Sequence, residues 1–257
     1  MKPDFLRLPR RPVKPRAIGV THVLDKGLPA QQAEALLGAS AEYIDIWKFG
    51  WGTAYLDHEL ETKLATLARH EIQACLGGTL LEIAWAQGRL DDYLNWAVDI
   101  GVPLVEVSRG AMPMSLEEKG RLIARAARSF TVLAEVGFKD PGRHLHPLQW
   151  KDEVSRDLDA GAWLVVTEGR ESGTVGTYAA DGSVIEDVVD AVIGVAGHER
   201  ILFEAPQRHQ QAWYINRFGP NVNLGNIPLY DATNVEAMRL GLRADTADIP
   251  STLPPRW

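Results

Sequence analysis

The chain has 257 residues and a formal net charge of −7, with 46% apolar and 24% charged residues. That size suits one large α/β domain, the apolar share gives no reason to expect disorder beyond the ends, and the acidic balance argues against a nucleic-acid partner, which needs a concentrated basic face. A single cysteine, Cys75, excludes an intrachain disulfide and a cysteine zinc site and suits a reducing cytoplasm, and no stretch approaches the ~18 apolar residues of a membrane span.

Residues 1–15 are basic and proline-rich and read as an extended arm. A first short strand is expected over 17–21 and a short helix over 29–37, with Pro29 at a tolerated early position. A second strand follows over 43–48, and Asp57 is expected to cap a helix through His70, with Leu60, Leu64 and Leu67 on one face. A third strand over 72–76 leads into the Gly77-Gly78-Thr79 turn and one helix over about 80–98. A fourth strand covers 103–107, and Ser115 with Glu118 forms a capping box at the start of the next helix.

The alternation continues with strands over 131–136, 163–168, 201–204 and 221–223, separated by helices near 148–160, 186–195 and 207–218 and followed by one near 233–240. Eight β/α units in a row, with no Gly-x-Gly-x-x-Gly and no P-loop, favour an α/β fold of the closed (β/α)8 TIM-barrel type over an open doubly wound sheet. The barrel is expected over 16–246, and the proline-broken segment 247–257 reads as a flexible tail.

Six of the apolar stretches end in, or run directly into, a charged or amide residue: Lys48, Glu106, Glu135, Glu168, Glu204 and Asn223. In a barrel those ends share one face, so four carboxylates, a lysine and an amide would ring a single mouth, where a metal and an anionic substrate can be held. Glu168-Gly-Arg-Glu-Ser-Gly173 adds Arg170 and Ser172 between glycines, a composition suited to clamping phosphate or carboxylate, with Gly173 letting the backbone approach an anion. Gln210, Gln211, Asn223 and Asn226 follow the last strands, the usual place of phosphate sites in this architecture. Lys48 and Lys139 are candidate general acids or anion anchors. His144 and His146 lie in a loop away from any strand and are not read as metal ligands. Trp47, Trp85, Trp96, Trp163, Trp213 and Cys75 read as packing residues.

Several motifs in order resemble the phosphosulfolactate synthase family: Tyr43-Ile-Asp-Ile-Trp-Lys-Phe-Gly-Trp-Gly-Thr53, Gly77-Gly-Thr-Leu-Leu-Glu82, Glu135-Val-Gly-Phe-Lys-Asp140, Glu168-Gly-Arg-Glu-Ser-Gly173, Phe203-Glu-Ala-Pro206 and Asn221-Val-Asn-Leu-Gly-Asn226. The resemblance runs from about residue 15 to 246. It implies a (β/α)8 barrel and Mg²⁺-dependent addition of sulfite to phosphoenolpyruvate, and it suggests a homo-oligomer. The family also includes stress-associated relatives, so membership alone does not fix the nucleophile. Three positions depart from the family pattern: Arg109 replaces an acidic or amide residue, Phe138 replaces the first of two adjacent lysines, and Arg208 stands where lysine is common.

These features together lead to the expectation of a lyase in which Glu106, Glu135, Glu168 and Glu204 supply the Mg²⁺ ligands, Lys48, Lys139 and Arg170 the catalysis, and Arg109, Ser172, Gly173, Gln210, Asn223 and Asn226 the substrate contacts. A lysine Schiff-base lyase using Lys48 and a non-catalytic stress-protective barrel are the alternatives.

Overall fold

Successive side chains of a strand point to opposite faces, so a parallel strand covered on both sides is buried along its length. The structure is a computed structural model and describes residues 5–140, 142 and 145–249. Eight parallel strands close in sequence order into a barrel: β1 Thr21–Asp25, β2 Ile46–Phe49, β3 Gln73–Leu76, β4 Leu104–Val107, β5 Thr131–Val136, β6 Leu164–Thr167, β7 Ile201–Glu204 and β8 Asn223–Pro228. β8 pairs back onto β1, which makes this the expected (β/α)8 barrel. Around it run α1 Ala30–Ser40, α2 Thr53–Leu56, α3 Leu60–Arg69, α4 Gly78–Ala86, α5 Leu90–Asp99, α6 Leu116–Ala126, α7 Pro147–Asp159, α8 Glu186–Ala196, α9 Arg208–Phe218 and α10 Ala232–Arg239. Among the described residues no helix is long and apolar enough to cross a membrane.

Two apolar layers follow from the alternation. One strand face supplies a small cluster made of Val20, Ile46, Cys75, Leu104, Leu133, Leu164, Val166 and Leu202, which fills the barrel. The opposite face, with Trp47, Val105, Val132 and Phe203, packs against the helices. Trp47 is a buried packing residue, as expected, and Trp150 is buried as well. Two residues beyond the filling layer the character changes: Ile46 gives way to Lys48, Leu104 to Glu106, Leu133 to Glu135, Val166 to Glu168 and Leu202 to Glu204. A period of two thus carries the same inward face from an apolar plug to an ionic rim.

Several boundaries differ from the sequence reading. The first strand begins at Thr21 rather than residue 17, because Gly19 takes a left-handed φ of 69° and its carbonyl accepts from Arg11. Its polar His22 and Asp25 are fully buried, which an apolar pattern does not signal. The helix expected over 80–98 is broken at Gly88, φ 67°, into α4 and α5. Asp57 does not cap α3 from its expected start; its carboxylate accepts from Glu59 N–H at 2.9 Å and pairs with Lys63 at 2.6 Å. Ser115 and Glu118 do form the capping box of α6. The last strand begins at Asn223 instead of ending there.

At the opposite end, guanidinium groups close the barrel by binding free carbonyls. Arg239 donates to Pro220 O and Val222 O, and Arg11, from the arm, donates to Pro220 O and Asn221 Oδ1. Of the tail expected over 247–257, residues 250–257 lie outside the described residues.

Candidate active site

The ionic rim lines a cavity of about 160 Å³ at the carboxyl ends of the strands. Its floor is Lys48, whose Nζ lies 2.8 Å from Glu106 Oε2, 3.2 Å from Glu204 Oε1 and 3.8 Å from Glu135 Oε2. Lys139, on the loop after β5, pairs with Glu135 and lies 2.9 Å from Glu168 Oε2. Glutamate and lysine therefore interleave across β2, β4, β5, β6 and β7. Gly137, between Glu135 and Lys139, has φ 124°, and a Cβ there would stand 2.5 Å from Glu168 Cβ, so only glycine lets the loop turn back over the rim.

The carboxylates are oriented by main-chain donors. Glu106 Oε1 accepts from Gly78 N–H at 2.9 Å, and Glu204 Oε2 accepts from Gly169 and Arg170 N–H at 2.9 and 3.0 Å. Arg170 N–H also donates to Glu168 Oε1 at 2.7 Å, which requires the left-handed φ of 54° at Arg170. Glu82, from α4, holds the loop after β4 by accepting from Ser108 Oγ and from Ala111 and Met112 N–H.

Burial and crowding set the protonation. Burial would lower the Lys48 ammonium, but Glu106, Glu204 and Glu135 outweigh it and hold it well above the ordinary lysine value. Lys139 is held up in the same way, against burial, by Glu135 and Glu168. Burial raises Glu106 to about 7, with Lys48 opposing and the other carboxylates reinforcing. Glu168 is pushed well above the carboxylate range by burial and then by the Glu135 charge. Burial acts on Glu135 too, but Lys139 and Lys48 overcome it and bring it below its usual value.

Four carboxyl groups thus face two ammonium groups, and the surplus negative charge surfaces as the raised Glu106 and Glu168. Glu106, Glu135 and Glu204 each offer one oxygen, all within 4.8 Å of one another. Three hard oxygen donors with surplus negative charge fit a divalent cation such as Mg²⁺. The same three carboxylates embrace Lys48, so a cation bound there shares them with the ammonium.

The sequence profile of the family described as (2R)-phospho-3-sulfolactate synthase matches residues 9–245. The chain belongs to this family, the phosphosulfolactate synthases. It is 40% identical to the phosphosulfolactate synthase of Bacillus subtilis over 95% of this chain and 98% of that protein. To the phosphosulfolactate synthase of Methanothermobacter thermautotrophicus it is 42% identical over 95% of this chain and 96% of that one. Among solved structures, the 3-hexulose-6-phosphate synthase of Salmonella typhimurium superposes with a TM-score of 0.58 at 14% identity, covering 90% of this chain and 95% of that one, a likeness of fold alone.

In this phosphosulfolactate synthase family member the cavity gathers Lys48, Lys139, Arg170, Glu106, Glu135, Glu168, Glu204 and Asn226 from the residues singled out in the sequence. The others lie elsewhere. Asn223 sits at the start of β8, near the far end of the barrel, where its carboxamide accepts from Val20 N–H and donates to Glu199 O and Ile201 O. Gln210 spends its amide on Gly173 O and Gly182 O, and Gly173 packs directly against it. Ser172 is exposed and shares a hydrogen bond with Thr174. Gln211 donates to Ala205 O. All three glutamine and asparagine side chains are thus used in holding loops and strand ends together.

Arg109 faces away from the cavity. Its guanidinium makes a paired contact with Glu153, 2.8 and 2.5 Å, and stacks 5.0 Å over the Phe138 ring. Two of the three departures from the family pattern therefore touch each other. Behind them the buried Lys119 donates to Glu153, Asp157 and Glu135 O, linking this pair to the strand that carries Glu135. The third departure, Arg208, is exposed, 3.9 Å from Asp245. His146 caps α7, its Nδ1 accepting from Leu148 N–H, and His144 lies outside the described residues.

Sequence reasoning passed over Thr79 and Trp51, which line the cavity, and Glu82, which supports it. The signal for Thr79 was present as Gly-Gly-Thr directly after an apolar strand. The Lys119 cluster had little, since Glu153 and Asp157 stand four apart on α7 but Lys119 comes from α6 and no spacing joins the two helices.

Proposed function

We propose that the protein catalyses addition of sulfite to phosphoenolpyruvate, giving 2-phospho-3-sulfolactate, with a divalent cation, Mg²⁺ in the first instance, held by Glu106, Glu135 and Glu204. The observation that carries this reading is two ammonium groups, Lys48 and Lys139, interleaved with four buried carboxyl groups in one small cavity. The names of the relatives support the substrate class.

The sulfur lone pair of sulfite forms a bond to the methylene C3, and the C2=C3 pair moves onto C2 and its carboxylate. Lys139 Nζ then delivers a proton to C2 and is reprotonated from solvent, so no oxidant or reductant is needed. A bound cation contributes positive charge opposite the carboxylate on which the new charge is delocalised, favouring the transition state over the ground state. Lys139 is the better placed donor because its side chain retains 22% exposure against 7% for Lys48. Lys48 holds the rim carboxylates in position from below. Arg170, exposed at the mouth with its guanidinium on Lys139 O at 3.2 Å, orients an incoming anion.

The charge environment speaks against the Schiff-base alternative. Attack on a carbonyl needs a neutral amine, and three carboxylates hold Lys48 protonated.

The test is incubation of the purified protein with Mg²⁺, phosphoenolpyruvate and sulfite, following the sulfonate adduct by mass spectrometry and ¹³C NMR. Adduct formation that stops on chelation is expected. A folded protein that forms no adduct sinks the assignment, and a borohydride-trapped lysine adduct would replace it.

A further inference from the structure

The rim of the cavity is divided. Every carboxylate on it, Glu171 on the loop after β6 included, comes from the β4–β7 side. The β8–β3 side contributes Leu24, Gly50, Trp51, Gly77, Gly78, Thr79 and Asn226, with Lys48 reaching across from below. Asp25, the acid at the end of β1, is turned away and fully occupied: it accepts from Trp47 Nε1, Lys63 Nζ and the N–H groups of Gly27 and Leu28.

The first turn of α4 opens on this neutral side. Gly78 N–H is taken by Glu106, but the main-chain N–H and hydroxyl of Thr79 have no acceptor among the described residues. The second feature is Asn226. It is 5% exposed, lines the same cavity and adopts a left-handed φ of 50°, and neither its Oδ1 nor its Nδ2, the donor a phosphate oxygen can use, has a hydrogen-bond partner among the described residues. Its own N–H is held by His22 Nδ1 at 3.2 Å, which fixes the kink from below. A buried carboxamide without a partner costs free energy, and a strained backbone that puts it beside a cavity marks a place where a ligand completes the hydrogen bonds.

We infer that the first turn of α4, through Thr79, and the carboxamide of Asn226 form the seat of the substrate's phosphate group. This rests on the reaction proposed above and adds where its phosphate lies. A phosphorylated enol acid has two anionic ends. The carboxylate must face Lys139 and the cation ligands, where charge develops, so the phosphate falls on the opposite wall, away from the four glutamates. That wall offers a helix N-terminus and an amide, which bind phosphate without requiring a counter-charge. Of the four amides that the sequence placed at the phosphate site after the last strands, Asn226 alone has a donor to spare among the described residues, because Gln210, Gln211 and Asn223 are already committed.

The test is calorimetric titration of the intact protein with inorganic phosphate and, separately, with pyruvate. Thr79→Asp introduces a carboxylate that suits the first turn of a helix, so the fold is retained while phosphate is repelled. Phosphate binding is expected to weaken by at least about tenfold in Thr79→Asp and by about threefold in Asn226→Ala, with pyruvate binding within about twofold of the parent in both. Phosphate binding that is unchanged, that is undetectable in the parent protein, or that falls together with pyruvate binding overturns the inference. The outcome is independent of the sulfite assay: loss of phosphate binding in Thr79→Asp, with no adduct formed by the parent, would retain the seat and discard the reaction.

Discussion

The two sides of the cavity rim are built from the same strand-to-helix turns and solve opposite problems. On the β4–β7 side, inward positions two residues beyond the apolar plug are glutamates, and the resulting repulsion is offset by two lysines and by main-chain donors. On the β8–β3 side the equivalent turns carry glycine, threonine and asparagine, Asp25 is tied to Trp47 and Lys63, and Glu82 is tied to the loop after β4. The difference teaches that confining the surplus carboxylates to one wall leaves the other wall of the same cavity without negative charge.

The sharpest way to break this comparison is to remove a cation from the charged wall. Lys139→Met is expected to lower kcat by about 10²–10⁴, the usual worth of a positioned general acid, with a smaller effect on KM. Near-normal turnover in that variant would leave the wall without a catalytic role.

Next in size is Lys48→Met, which leaves three buried carboxylates facing one another. Without a divalent cation it should lose about 3–5 kcal/mol of stability, as removal of one partner from a buried ion cluster does. Urea denaturation with and without Mg²⁺ measures this, and the cation should restore more stability to the variant than to the parent. Equal responses to Mg²⁺ would mean that the ammonium and the metal do not share these ligands.

Arg109→Ala probes the support behind the charged wall. Glu153 keeps Lys119 as a partner, so a loss of about 1–3 kcal/mol is expected, with phosphate affinity unaltered because the neutral wall is untouched. A large change in phosphate binding would show that the two walls are not independent.

The smallest effect is a pH dependence. Burial raises the Asp157 carboxyl from 3.8 to about 6, with Lys119 opposing and Glu153 reinforcing. The folded state therefore holds this proton more tightly than the unfolded chain, so the contribution to stability is full below pH 3.8 and is lost as pH rises through about 6. Asp157→Asn should flatten the stability profile across that window in denaturant titrations at several pH values. An unchanged slope would assign the dependence to another group.

The sequence by itself determined the barrel and most of its charged wall. Apolar runs of strand length separated by helical stretches fix the β/α alternation. A side-chain period of two then carries an inward apolar residue to the inward Lys48, Glu106, Glu135, Glu168 or Glu204 that follows it. That arithmetic is local, which is why it survives without coordinates. What the tertiary structure alone decided is which polar groups are free. Asn223, Gln210 and Arg109 have the chemistry of anion ligands, yet a one-strand-length shift in β8 sends the first to the far end of the barrel, and partners 28 to 44 residues away claim the other two. Thr79 and Asn226 stay available because, among the described residues, no neighbouring element brings a hydrogen-bond partner to their side chains. Hydrogen-bond partners are set by three-dimensional proximity, and spacing along the chain does not encode them.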